Sequence, residues 1–186
     1  KDKDVLIIGN GPSCEEYKED IELYINKFKP LVLSLNIQMN ISESLIDGYI
    51  AANQSRISIE SKFYSKIDKP IYTSKNLFSD DPNFQLIASR IKDYGLSIDR
   101  NKFCINSNNC IMPFPLSALY AFSIVSIGNA KKIHLVGFDG YDKNDYRQEE
   151  MVTAINMYKK DSNASRLISL TPTSYPIIHS SLYAPI

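Results

Sequence analysis

Val5-Leu6-Ile7-Ile8-Gly9-Asn10-Gly11-Pro12-Ser13 is the stretch on which the reading of the chain turns. Four consecutive apolar residues, three of them β-branched, show no polar alternation. That is the pattern of a parallel strand covered by helices on both faces. Gly9-Asn10-Gly11 makes a tight turn, and Pro12 suits the first turn of a helix, where its missing N–H costs nothing. Ser13 is placed to cap the early amides. Free amides and the positive end of a helix dipole form an anion site, and glycines let a phosphate approach the backbone closely. The expectation is a nucleotide-phosphate loop at Gly9, Asn10, Gly11, Pro12 and Ser13, opening a Rossmann-like sheet. The plainer alternative is a strand–turn–helix corner whose glycines serve only positive φ, and a lone glycine loop does not separate the two.

Working outward, apolar runs and helical stripes alternate along the chain. Cys14 to Phe28 carries Tyr17, Ile21, Tyr24, Ile25 and Phe28 on one helical stripe, ended by Pro30. Strands are expected at Leu31–Leu35, Gly48–Ala52, Pro70–Thr73, Lys132–Phe138 and Leu167–Leu170, with a short one at Lys102–Ile105. Helices are expected over Arg56–Lys66, Phe84–Tyr94, Leu116–Ile127 and within Asp142–Lys160, with Gly128 as a C-cap. Leu77–Phe84 reads as polar and turn-rich, and Asn106–Pro115 as a proline-broken loop. Alternating strands and helices with short connections predict an α/β fold: a Rossmann-like parallel sheet with helices on both faces. At 186 residues the whole chain, 1–186, is expected to form a single domain.

Composition narrows the function classes. With 21 basic and 21 acidic residues the net charge is zero, and no segment is basic enough for a nucleic-acid groove. No apolar run reaches membrane-spanning length. The charged start leading directly into a strand is unlike a signal peptide, so a soluble cytoplasmic domain is expected. Cys14, Cys104 and Cys110 lack metal-ligand spacing, and their odd number argues against a disulfide framework. Cys14 sits at a helix start, where the dipole lowers a thiol pKa. His134 reads as a core or edge histidine and His179 as exposed, and no metal site is expected.

In such a sheet, ligands bind beyond the carboxyl ends of the strands. Besides Gly9–Ser13, those ends carry Asn36, Asn53, Asn106, Ser107, Asn108, Asn109, Asp139, Tyr141, Thr171, Thr173 and Ser174. Amides and hydroxyls of this kind suit ribose, base edges and sugar hydroxyls. Asn36 stands where a dinucleotide site keeps Asp or Glu, and the third glycine of Gly-x-Gly-x-x-Gly is missing, so NAD chemistry is not expected. Asp139, after Leu135-Val136-Gly137-Phe138, is a candidate base, sugar-hydroxyl acceptor or turn cap, and Tyr141 either stacks on a ligand or covers the sheet edge.

Ile7-Ile8-Gly9-Asn10-Gly11-Pro12-Ser13 resembles the CMP-binding loop of the small bacterial sialyltransferases of glycosyltransferase family 42. Asn36 and Asn53 stand where that family has asparagines contacting the nucleotide sugar. Asn106–Asn109 matches a loop near the CMP, Gly128 to Tyr141 the strand ending in Asp and an aromatic residue, and Thr171–Ser174 a late Pro-containing loop. A looser resemblance holds to the pterin-diphosphokinase-like domain of motility accessory factors. Gly137-Phe138-Asp139-Gly140-Tyr141 and Leu170-Thr171-Pro172-Thr173 also resemble the C-terminal domain of HMG-CoA-lyase-like aldolase proteins of surface-polysaccharide biosynthesis. The resemblances imply a CMP-type nucleotide or nucleotide sugar as substrate or ligand, with no tightly bound cofactor. Asp139 and Tyr141 would be catalytic and the other strand-end residues would bind the nucleotide sugar. They also imply an N-terminal aldolase domain as partner, this chain being the C-terminal part of a longer protein. One departure matters: the family's lid carries a His taken as the base, whereas Asp142–Arg166 is short and has none. Asp139 or Tyr141 would have to stand in, or the domain holds its ligand without transferring it.

Overall fold

Strands β1 (Val5–Ile8), β2 (Leu31–Leu35), β3 (Gly48–Ile50), β4 (Ile71–Thr73) and β5 (Ile91–Asp93) step in chain order across one half of a parallel sheet. Next in the chain, β6 (Gly95–Ile98), β7 (Cys104–Ile105) and β8 (Asn109–Met112) leave it to form a separate three-stranded sheet, ordered β6-β8-β7. The chain then returns on the other side of β1 with β9 (Lys132–Val136), β10 (Arg166–Ser169) and β11 (Ile178–His179). The resulting order is β11-β10-β9-β1-β2-β3-β4-β5, with every pairing parallel. This computed structural model describes residues 4–77, 84–130 and 132–185.

Side-chain alternation in β1 explains the uninterrupted apolar run. Val5 and Ile7 face one core; Leu6 and Ile8 face the other. The first core is closed by helices α5 and α6 and the small sheet, the second by α1 to α4. These are α1 (Ser13–Glu16), α2 (Lys18–Phe28), α3 (Gln54–Tyr64), α4 (Phe84–Ile87), α5 (Ser117–Ile127) and α6 (Tyr146–Tyr158). Leu119 and Phe122 of α5, Ile155 of α6 and Cys110 and Met112 of β8 pack on the Val5/Ile7 side. Ile21, Tyr24 and Ile25 of α2 and Ile57 and Tyr64 of α3 pack on the Leu6/Ile8 side. The fold is therefore the expected Rossmann-like α/β sheet. Among the described residues no helix is long and apolar enough to cross a membrane.

Several elements differ from expectation. The first helix breaks at Tyr17 (φ −103°, ψ 23°) into α1 and α2. The helix expected over Phe84–Tyr94 stops at Ile87; a tight turn follows, and Ile91–Asp93 pairs with β4 instead. Its one buried residue, Ile91, is enough to seat this edge strand. Most of the turn-rich stretch expected at 77–84 lies outside the described residues. Asn109–Met112, read as loop, is a strand whose Cys110 and Met112 point inward. Gly128 does cap α5, but at φ −71°; the left-handed residue is Asn129 (φ 62°).

The chain's departure from β1 to β2 on one side and its return to β9 on the other makes a topological switch. In parallel sheets the crevice beyond the carboxyl ends of two such strands is the standing place for a ligand.

Candidate functional site

A cavity of about 420 Å³ opens at that switch, over the ends of β9, β1, β2 and β3. Of the residues expected from sequence, Gly9, Asn10, Gly11, Pro12, Asn36, Asn53, Asp139 and Tyr141 line it. Leu35, Phe138, Met151 and Tyr175 supply an apolar wall. Apolar lining with a few convergent polar groups is the usual make-up of a small-molecule site.

The glycine loop is built against the end of β9. Gly9 N–H donates to Val136 O at 2.8 Å and Gly11 N–H to Gly137 O at 2.9 Å. A Cβ on Gly11 would collide with the Asp139 carboxylate and lie 2.7 Å from Gly137 O. Neither Gly9 nor Gly11 has positive φ; the glycines that do are Gly137 (72°) and Gly140 (106°). Gly9 and Gly11 thus serve the close approach of two chain segments. Ser13 completes the join: its N–H donates to Asp139 Oδ1 at 3.1 Å, and its Oγ lies 2.9 Å from Asp139 Oδ2. That Oγ is also 3.0 Å from Thr171 Oγ1, which accepts Gly137 N–H at 3.1 Å. The amides of Gly9, Gly11 and Ser13, expected to be open to a phosphate, are therefore satisfied within the chain. The side chain expected to cap the helix instead holds the carboxylate that caps it.

Asn10 ties this loop to the next strand end, its Nδ2 donating to Leu35 O at 3.3 Å and Ile37 O at 3.4 Å. Asn36 takes a left-handed backbone (φ 56°), which an Asn tolerates. Its Oδ1 is 3.5 Å from the Ser117 hydroxyl. Asn53 caps α3, its Oδ1 accepting Arg56 N–H at 3.0 Å. In both asparagines the carbonyl oxygen faces protein, while among the described residues no acceptor engages the amide NH₂ of either. These are donors suited to a ligand oxygen.

Asp139 accepts from Ser13 with both oxygens and still has lone pairs for further donors. Tyr141, 41% exposed, lies beside it at the mouth. The Arg147 guanidinium sits 4.2 Å over the Tyr141 ring, so one face of that ring is covered. Gln148 links this corner to the last loop, accepting Tyr141 N–H at 2.9 Å and donating to Ser174 Oγ at 2.9 Å.

The remaining expected residues lie elsewhere. Asn106, Ser107 and Asn108 form the tight connection between β7 and β8 and Asn109 opens β8, where Asn106 Nδ2 donates to Asn109 Oδ1 at 2.9 Å; none of the four lines the cavity. The segment that reaches it is the later Pro115 and Leu116 with the start of α5 at Ser117 and Ala118. Thr171 braces Ser13, Ser174 N–H donates to Asp139 O at 2.8 Å, and Thr173 accepts Tyr175 N–H within its own turn. Thr171 and Thr173 instead face a second cavity of about 440 Å³ beside Tyr17 and His179.

Cys14 does not gain acidity from the helix start: it is fully buried, and burial pushes its thiol up to about 11. His134 is buried, its Nδ1 2.9 Å from the Tyr24 hydroxyl, and His179 is exposed. Ser117 and Arg56 are among the cavity residues that escaped the sequence reading. Ser117 lies one residue into a helix, and Arg56, with Glu60 at i+4, has the pattern of an ordinary solvent-facing pair. The only sequence signal for Arg56 is its place three residues after a strand-end Asn. Comparison of the chain with protein-family models, with curated proteins and with solved structures yields no match.

Proposed function

We propose that the cavity binds a nucleotide or nucleotide-activated sugar of the CMP type. The observation that supports this best is the convergence of Asn36, Asn53 and Asp139, from three different strand ends, on one partly apolar cavity. Amide donors and a carboxylate acceptor beside apolar surface match a ligand that is part ring and part hydroxyl. In a transferase, Asp139 and Tyr141 would face the reacting carbon. A specific feature favours holding over transfer: both Asp139 oxygens already accept from Ser13. A carboxylate fixed in that way is well placed to orient a sugar hydroxyl and poorly placed to swing toward a proton. On that second reading the domain is a ligand-holding module for an aldolase partner, a partnership supported by the sequence resemblance alone.

Calorimetric titration of the domain with CMP, CMP-sialic acid, GTP and ATP tests both readings. CMP and CMP-sialic acid are expected to bind, and to bind more weakly to Asn36→Ala by about tenfold, the value of one lost hydrogen bond. Failure of all four ligands would remove the nucleotide reading. Binding of CMP-sialic acid without release of CMP over hours favours the holding module; steady release of CMP favours the transferase.

A further inference from the structure

Among the described residues that line the cavity only two carry charge, Asp139 and Arg56. Asp139 follows β9 and Arg56 follows β3, with β1 and β2 between them. Three strand spacings of ~4.8 Å separate them by about 14 Å along the row of strand ends. The cavity is thus electrically polar: a carboxylate at the glycine-loop end and a guanidinium at the far end.

Arg56 is set in place by more than its helix. Its Nε donates to Glu60 Oε1 at 2.8 Å, and Glu60 Oε2 accepts Ile37 N–H at 3.3 Å from the loop after β2. One carboxylate therefore pins the guanidinium to the segment next to Asn36. The Arg56 backbone is fixed as well, since its N–H is the one capped by Asn53. Only Nε is used, and no acceptor among the described residues engages the two terminal nitrogens. A guanidinium held through Nε presents those nitrogens as a fork that fits a phosphate or carboxylate with two parallel bonds. On the same cavity, the first turn of α5 carries no side-chain cap, and its Ser117 and Ala118 line the wall. Its first-turn amides, which no side chain caps, add donors for the same anion.

We infer that Arg56, oriented by Glu60, binds the phosphate of the ligand together with the first turn of α5, and that the glycine loop does not. The inference rests on the nucleotide reading above and gives the ligand a direction: phosphate toward Arg56, hydroxyl-rich end toward Asp139. Glu60 is a positioning residue here, touching Arg56 and not the ligand.

The test is titration of cytidine, CMP and CMP-sialic acid into the wild-type domain and into Arg56→Gln, Arg56→Lys and Glu60→Gln. Circular dichroism checks that each variant is folded; Arg56 is half-exposed and Glu60→Gln keeps the side chain's size and shape. Wild type is expected to prefer CMP over cytidine. Arg56→Gln should lower CMP affinity at least tenfold and leave cytidine unchanged, erasing the preference. Arg56→Lys should restore part of it, and Glu60→Gln should weaken CMP severalfold with cytidine unaffected. A preference for CMP that survives in Arg56→Gln overturns the inference. A variant that loses affinity for CMP-sialic acid but not for CMP also overturns it, because Arg56 would then hold the sugar's carboxylate. Absence of binding by all three to wild type is a different failure, that of the nucleotide reading itself.

Discussion

Replacing Ser13 by Ala should uncouple the glycine loop from the β9 corner. Ser13 is 1% exposed, and its hydroxyl has one proton to give. Two acceptors lie within reach, Asp139 Oδ2 at 2.9 Å and Thr171 Oγ1 at 3.0 Å. The charged oxygen is the stronger acceptor, so Ser13 donates to Asp139 and the Thr171 hydroxyl supplies the proton between the two hydroxyls. The substitution removes one charge-assisted bond, about 1.5–3 kcal/mol, and strips Thr171 of a neutral partner, about 1 kcal/mol. Asp139 is only partly buried, so water recovers some of the first loss. The net expectation is about 2 kcal/mol, or about 4–8 °C in Tm for a domain of this size. The assay is urea denaturation of wild type, Ser13→Ala, Asp139→Ala and the double variant. The expected coupling energy is about 1–2 kcal/mol, because either single change already breaks the bond. Additive losses, with coupling under about 0.5 kcal/mol, would show that the Ser13–Asp139 contact does not join the two segments.

Gly11→Ala should cost about 1–3 kcal/mol through overpacking, since the new methyl meets the Asp139 carboxylate and Gly137 O; a Tm within a degree of wild type would contradict that close approach. Burial raises the Cys14 thiol from 9.0 to about 11 and the Cys110 thiol from 9.0 to about 12. With the folded pKa above the unfolded one, the stability these thiols contribute is complete below pH 9 and drains away from pH 9 to about 11 or 12. Stability measured across that window should fall less steeply in Cys14→Ala than in wild type, and Cys14 in the native protein should resist iodoacetamide at pH 8 over hours.

The fold was legible where burial is two-sided and failed where pairing is tertiary. Val5–Ile8, Val32–Leu35 and Ile133–Val136 are buried on both faces and mostly apolar, because helices cover both, and no helix would bury such a run so evenly. Ile91–Asp93 and Ile178–His179 give no such signal: the first buries one residue, the second none. Their strand state comes from the neighbours they pair with, β4 and β10. Apolar spacing over 84–94 suits a helix equally well until that pairing is known. The strand-end rule placed Asn36, Asn53, Asp139 and Tyr141 at one cavity because parallel strands all end on the same side. It misplaced Asn106–Asn109, which follow a strand of the small sheet and not of the large one. Arg56 stayed hidden because its i+4 pair with Glu60 looks the same on a solvated helix as on a cavity wall.

The two glycines of the opening loop show how far a motif can be read. Their presence after a buried strand says that something approaches the backbone closely, and it does not say what. Here the neighbour is Gly137 O and the Asp139 carboxylate, belonging to the same chain. The consequence is electrostatic. A phosphate seated on this loop would face the Asp139 charge, a repulsion of about 4 kcal/mol at ~4 Å in an effective dielectric of about 20. Three of the amides that could have offset it are already spent on Val136, Gly137 and Asp139. At the far end the balance has the opposite sign: among the described residues no acceptor engages the two terminal nitrogens of Arg56, and the first turn of α5 has no side-chain cap. A sugar hydroxyl, in contrast, gains from Asp139 without paying for charge. The arrangement that makes Gly9–Ser13 resemble a phosphate loop therefore disfavours an anion there, and on the proposed nucleotide reading the ligand's negative end belongs three strands away.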